Sequence, residues 1–316
     1  MLSMRILLNL ALLSLLFGLS VPSFAVDDPY TSLDARVNTL LNNGQYTEAI
    51  PLLEKLIPLA EKKFGGNHEN TEKALNHLAE ACRREIDTAR NQGREDPPLA
   101  QTLTKLARIY QIQGNLTEAE PLYKQALSIL EVTEGLDSAL FAQTLNNLAL
   151  LYHAVGRSAE AETLFRQALA VYEQIYGPNH KDAALTLINI GSADLNQGKF
   201  AEAEADFKRA LEILEKKLGP NDPYLIPALN NYSGLYFAQE KFAEAEPLVQ
   251  RALKIAEKNY GLTNHPDVLT SLDNLEWIYA KMGRTEELTK IQEKTKRARF
   301  STGSAGSSVN LGGLPP

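Results

Sequence analysis

The side chains that invite a chemical reading are three histidines, His68, His180 and His265, and four glutamates, Glu118, Glu160, Glu202 and Glu244. Imidazoles can hold a metal or carry a proton, and paired carboxylates can divide acid and base work. Their spacing argues against both. Each histidine directly follows an asparagine near a predicted helix start, where turn chemistry accounts for the pair. The glutamates recur at intervals of 42 residues, one per unit, whereas carboxylate catalysis needs two within roughly 10 Å of each other. There is no Gly-rich phosphate loop and no activated serine or cysteine motif. Cys82 is the only cysteine, so no intramolecular disulfide forms. It falls on the apolar stripe of a predicted helix, as a small buried hydrophobe would. The expectation is a chain that is not an enzyme, with no cofactor and no metal site.

What positions these residues is a repeat. One short pattern occurs six times, starting at Gly44, Gly114, Gly156, Gly198, Glu240 and Gly283. From Gly114 onward the intervals are 42, 42, 42 and 43 residues. A period in this range means stacked supersecondary units, none able to bury its apolar face alone. The copy from Ser138 to Gly177 displays the unit. Leu145, Leu148, Ala149 and Tyr152 recur at three- and four-residue spacing on one helix face. Gly156 ends that helix, and Ala161, Leu164, Phe165, Ala168, Leu169 and Tyr172 form the inner face of a second. Gly177-Pro178-Asn179 stops it. The small Ala149 and Ala161 suit the close approach of two antiparallel helices.

These residues resemble the tetratricopeptide repeat, in the 42-residue version of kinesin light chains and many bacterial proteins. The strings that carry the likeness are Ala142-Gln143-Thr144-Leu145-Asn146-Asn147-Leu148-Ala149, Glu160-Ala161-Glu162 and Gln167-Ala168-Leu169. The resemblance spans residues 31 to 298 and implies an all-α fold: a right-handed superhelical solenoid of antiparallel helix pairs. Repeats are expected near 31–66, 98–134, 138–177, 180–219, 223–261 and 266–298, within a domain of 26–299. A degenerate unit at 70–92 is expected as one long helix, because no Glu-Ala second helix follows it. The last repeat is irregular, with Glu276 where Ala149 and Gly191 sit, and its Lys- and Glu-rich final helix suits a solubilising cap.

In this family, first helices line a concave groove, and an asparagine position on them often holds a ligand's backbone. Mapped here, that position is Asn147, Asn189, Asn231 and Asn274, with His77 and Lys105 in the earlier copies. An amide offers one donor and one acceptor direction to a backbone with the same needs. The alternative is that these amides bond neighbouring helices and serve packing. Asn146, Asn230, Leu150, His153, Ser192, Leu195 and Phe237 are also expected to face the groove. Lys105 and Arg108 form a basic spot suited to an acidic side chain or a terminal carboxylate, or else a solvated pair. Trp277 is expected to be covered by the final helix.

The N-terminus reads as a targeting segment. Arg5 is the only charge before the apolar run Ile6–Leu19, and Ser23-Phe24-Ala25 resembles a signal-peptidase site. Residues 1–25 are expected to be a cleaved signal peptide, or an uncleaved anchor, placing the domain in the periplasm or outside the cell. Without Arg5, 31 basic residues face 39 acidic ones, a balance that gives no support to nucleic acid or anionic lipid as partner. Residues 300–316 lack charge and are rich in Gly and Ser, which reads as a flexible tail. The expected activity is binding of a protein or extended peptide in the groove. The alternatives are docking through the convex surface in an envelope assembly, or service as an enzyme accessory or an undetected hydrolase.

Overall fold

The computed structural model describes residues 28–301; the expected signal peptide, 1–25, and tail residues 302–316 lie outside them. The described residues form thirteen α-helices and no strand. Three come first among the described residues: α1 (Pro29–Asn42), α2 (Tyr46–Phe64) and α3 (Glu69–Asn91). Ten more follow as five pairs: α4 (Pro97–Ile112) with α5 (Leu116–Thr133), and α6 (Ala139–Ala154) with α7 (Ser158–Tyr176). Then come α8 (Lys181–Asn196) with α9 (Phe200–Leu218) and α10 (Leu225–Ala238) with α11 (Phe242–Tyr260). The last pair is α12 (Pro266–Lys281) with α13 (Thr285–Phe300).

One pair explains the rest. Ser138 caps α6, its hydroxyl accepting the Phe141 amide at 3.1 Å, an interaction worth ~1 kcal/mol. At the other end Gly156 takes φ +81°, and the Arg157 amide donates back to the Tyr152 carbonyl at 2.8 Å. That closes the helix and reverses the chain. Across the hairpin Ala149 and Ala161 are fully buried, and Phe165 and Ala168 fill the seam. Burying a ring such as Phe165 contributes about 1.5–3 kcal/mol. The same turn recurs with Gly44, Gly114, Gly198 and Gly283 at positive φ, and at the fifth copy Glu240 takes the strained φ of +56°.

The three histidines prove to be helix caps. In each, Nδ1 accepts the amide two residues on: His68 from Asn70 at 3.1 Å, His180 from Asp182 at 3.3 Å, His265 from Asp267 at 3.3 Å. Each ring stacks on the aromatic residue ending the previous helix or lying near its end, Phe64, Tyr176 or Tyr260. Helix α3 is the odd member, 23 residues long. Gln113 at the end of α4 donates to Asn76 near the start of α3 at 2.9 Å, so the two run antiparallel. The start of α7 meets the end of α8 in the same way, Gln197 donating to Glu162 at 2.8 Å. Toward α4, then, α3 stands where a second helix normally stands.

Candidate binding face

The first helices of successive pairs lie side by side. Thr104 on α4 and Thr144 on α6 share a hydrogen bond of 3.1 Å. Asn189 on α8 donates to Asn146 on α6 at 3.2 Å. Phe237 on α10 meets Trp277 on α12 edge to face, with centroids 4.9 Å apart. Helices α4, α6, α8, α10 and α12 therefore make one continuous face, and the mapped asparagines run along it.

Those amides differ in their surroundings. Asn189 is tied to Asn146, so at this step the amide does serve packing. Asn147 is 7% exposed, Asn274 half-buried and Asn231 exposed. Beside Asn231, the Asn230 Oδ1 is buried with no hydrogen-bond partner, and so is the His153 Nδ1. Burial pushes the His153 pKa below its ordinary value, so this imidazole is neutral near pH 7. Its other ring nitrogen lies 3.5 Å from the Asn196 amide on the neighbouring first helix. Leu150 and Phe237 are half-buried and add apolar surface between the amides.

The two basic residues do not act alike. Lys105 is ion-paired with Glu54 on α2 at 2.9 Å, which removes it from the expected basic spot. Arg108 has neither hydrogen bond nor ion pair among the described residues. Beyond it, the first turns of α4, α6 and α8 surround an open hollow of about 520 Å³. Gln101, Leu140 and Gln143 line it from the first helices, and Tyr172 and Tyr176 from α7.

Trp277 corrects the sequence reading. It is 41% exposed, and it rests on Phe237 and on Phe242, 5.1 Å away, instead of lying under α13. Trp277 shares the repeat position of Leu150 on the face of the first helices, whereas α13 buries Ile291, Thr295 and Ala298 and meets α12 at Glu276, which accepts a hydrogen bond from Thr295.

The opposite face carries features that the sequence reading missed. Arg209 on α9 pairs with Glu173 on α7, and Arg251 on α11 with Glu215 on α9, both at 2.5 Å. Lys294 on α13 repeats the pairing with Glu257 on α11 at 2.7 Å. The 42-residue recurrence of these acids and bases was the available signal. The glutamates considered for catalysis, Glu118, Glu160, Glu202 and Glu244, are all exposed. The second acid of each Glu-Ala-Glu string instead meets the next repeat. Glu120 accepts from Tyr152 at 2.9 Å and Glu204 from Tyr236 at 3.2 Å.

One step of that pattern is replaced. The position held by Tyr110, Tyr152, Tyr236 and Tyr279 is Asp194 on α8, a fully buried acid facing the acid Glu162. Arg166 bonds both, at 3.0 Å each, and Lys199 lies 3.6 Å from Asp194 and pairs with Glu162. Burial first, and then the Glu162 carboxylate, raise Asp194 to about 6. Burial opposes ionisation of Glu162 too, but hydrogen bonds from Lys199, Gln197 and Arg166 outweigh it and lower that group.

A tetratricopeptide repeat profile matches residues 31–95, 98–174, 140–216, 182–258 and 224–287. BtubC (BKLC) from P. vanneervenii is similar in structure, with TM-score 0.62 and 24% identity over 72% of this chain and 91% of that one. The TPR-like repeats of a kinesin light chain-type protein from P. anserina align with TM-score 0.57 and 23% identity, over 66% and 99% of the two chains. A Rap protein complexed with competence and sporulation factor aligns with TM-score 0.53 and 18% identity, over 85% and 77%. No curated protein sequence matches. At these identities the structural likenesses show the fold alone.

Proposed function

Because this chain belongs to the tetratricopeptide repeat family, we propose that it is a non-enzymatic scaffold that holds an extended peptide or protein segment. The working surface is the concave groove of α4, α6, α8, α10 and α12. One observation carries this reading. Of the four mapped amides, Asn147, Asn231 and Asn274 have no hydrogen-bond partner among the described residues, whereas Asn189 is tied to Asn146. Amides left free along a continuous face offer a peptide backbone the paired donors and acceptors it needs. The Rap protein, solved complexed with competence and sporulation factor, supports the view that a fold of this kind can hold a partner.

The proposal includes export, resting on the apolar run Ile6–Leu19 and the Ser23-Phe24-Ala25 site. None of the described helices is long and apolar enough to cross a membrane. Intact mass of the exported protein should correspond to a chain starting at Val26, and a mass that includes Met1 would refute cleavage.

The groove is tested by replacing Asn147, Asn189 and Asn231 together with Ala, against a control replacing the exposed Glu118, Glu160 and Glu202. Each buried polar group of a ligand left unpaired costs about 1–3 kcal/mol. The asparagine variant should lose its partners and the glutamate variant keep them, both remaining folded by circular dichroism. A folded asparagine variant that retains every wild-type partner gives the surface role to the convex face instead.

A further inference from the structure

Two glycines inside helices of this chain have opposite surroundings. A Cβ on Gly191 would lie 2.8 Å from the Phe207 ring, so packing requires that glycine. A Cβ on Gly234 would meet nothing within 4 Å. A helix-interior glycine is less favourable than alanine, and here internal packing does not explain it.

Gly234 lies in α10 one turn before Phe237, on the same face. It shares its register with Leu150, Ser192 and Trp277, one position per repeat along the groove. The line of side chains thus falls away to nothing at Gly234 and rises again at the exposed Trp277. One turn earlier on α10, the Asn230 Oδ1 is buried without a donor, and Asn231 beside it is exposed. An orphaned acceptor beside an open notch is a group that lacks a partner the protein does not supply.

We propose that this notch is the specificity pocket of the groove, and that it takes one large, uncharged apolar side chain of an extended peptide. The occupant seats over Gly234 against the Trp277 and Phe237 rings, and the peptide backbone pairs with the exposed Asn231 amide. The inference rests on the groove reading above and adds the class of ligand. Charge excludes a cationic occupant, and the exposed rings favour an apolar one. The Lys281 ammonium lies over the Trp277 ring, 5.6 Å from its centroid. The acids nearest in sequence on α12 are engaged elsewhere, Asp273 with Arg299 at 2.7 Å and Glu276 with Thr295. A cationic side chain would meet a like charge there. The exposed rings offer an apolar one a wall it can cover.

Trp277 is the only tryptophan in the chain, so its emission reports the notch directly. The probes are twelve-residue Ser/Thr peptides, capped at both ends and labelled with fluorescein at one, with a single central Leu, Phe, Lys or Asp. Binding is read by anisotropy of the label on the wild-type protein, on Gly234→Leu and on Asn231→Ala. Unlabelled peptides are titrated against Trp277 emission. Leu and Phe peptides should bind at least tenfold more tightly than Lys and Asp peptides and shift Trp277 emission to the blue. Gly234→Leu, which fills the open space, should melt at or above the wild-type temperature yet lose that tenfold preference.

Equal binding of all four peptides overturns the notch while leaving the groove standing, provided Asn231→Ala weakens all four. An acidic preference overturns the apolar occupant. Retention of the preference by folded Gly234→Leu overturns the placement. A lowered melting temperature of Gly234→Ala gives the glycine a packing role and overturns the argument from open space. Failure of every peptide to bind overturns groove and notch together.

Discussion

Replacing Asp194 by asparagine should stabilise this protein at alkaline pH and do so progressively less as the pH falls. The wild-type residue is a buried acid held against another acid, at a position where four of the other repeats use tyrosine. Its carboxyl titrates near 6 in the folded chain, against an ordinary value of 3.8. Between those two values the folded state binds more protons than the unfolded one. Stability therefore falls as pH rises from about 4 to about 6, and it stays reduced above that range. The full gap corresponds to ~3 kcal/mol at pH 8 and to ~1 kcal/mol at pH 4.5. Asparagine reproduces the neutral form, and Arg166 keeps Glu162 at 3.0 Å as its counter-ion.

Glu162 carries the opposite sign. Its lowered pKa contributes stability above the ordinary carboxylate range that is lost in stronger acid. This joint is thus most stable in the mildly acidic window between the two titrations. Thermal unfolding followed by circular dichroism at pH 8 and pH 4.5 measures the effect. Each kcal/mol moves the midpoint by roughly 2–4 °C in a chain of this size. Asp194→Asn should raise it by several degrees at pH 8 and by a third as much at pH 4.5. Destabilisation at pH 8, or an equal gain at both values, would refute the reasoning.

Two further predictions concern single residues. Glu240 occupies a turn position where the other copies have glycine, at φ +56°. Relief of left-handed strain, less the entropy that glycine adds to the unfolded chain, should make Glu240→Gly more stable by about 0.5–1 kcal/mol; urea titration checks this, and a loss would show that Glu240 earns its place by a contact. Burial raises the Cys82 thiol to about 12, so iodoacetamide at pH 8 should label it only in denaturant, with rapid labelling of the native protein as the contrary result.

The repeat architecture was legible because its causes are local and periodic. Apolar residues at helical spacing define each inner face, and the turn glycines fall where φ must be positive. The isolated α3 was legible from a missing motif, although its second-helix stance toward α4 depends on contacts such as Gln113 with Asn76. Surface roles were harder to read. Lys105 looks like a free cation until Glu54, 51 positions earlier in the sequence, is found beside it. Trp277 looks like a residue for the cap to cover until the rings of Phe237 and Phe242 are found beside it. Asp194 was readable as a break in the tyrosine column, but its significance depended on Glu162 facing it. The open space above Gly234 is a property of neighbouring helices, and no pattern within α10 encodes it.

The central claim is that partners occupy the face of α4, α6, α8, α10 and α12. Site-specific photocrosslinking tests it most directly, with p-benzoylphenylalanine placed at Leu150 on that face or at Glu202 on the exposed start of α9. Irradiated in cells, the Leu150 probe should give discrete adducts that disappear when Asn147 and Asn231 are also replaced by alanine, and the Glu202 probe should give none. Adducts from Glu202 alone would contradict the account and place the working surface on the convex side.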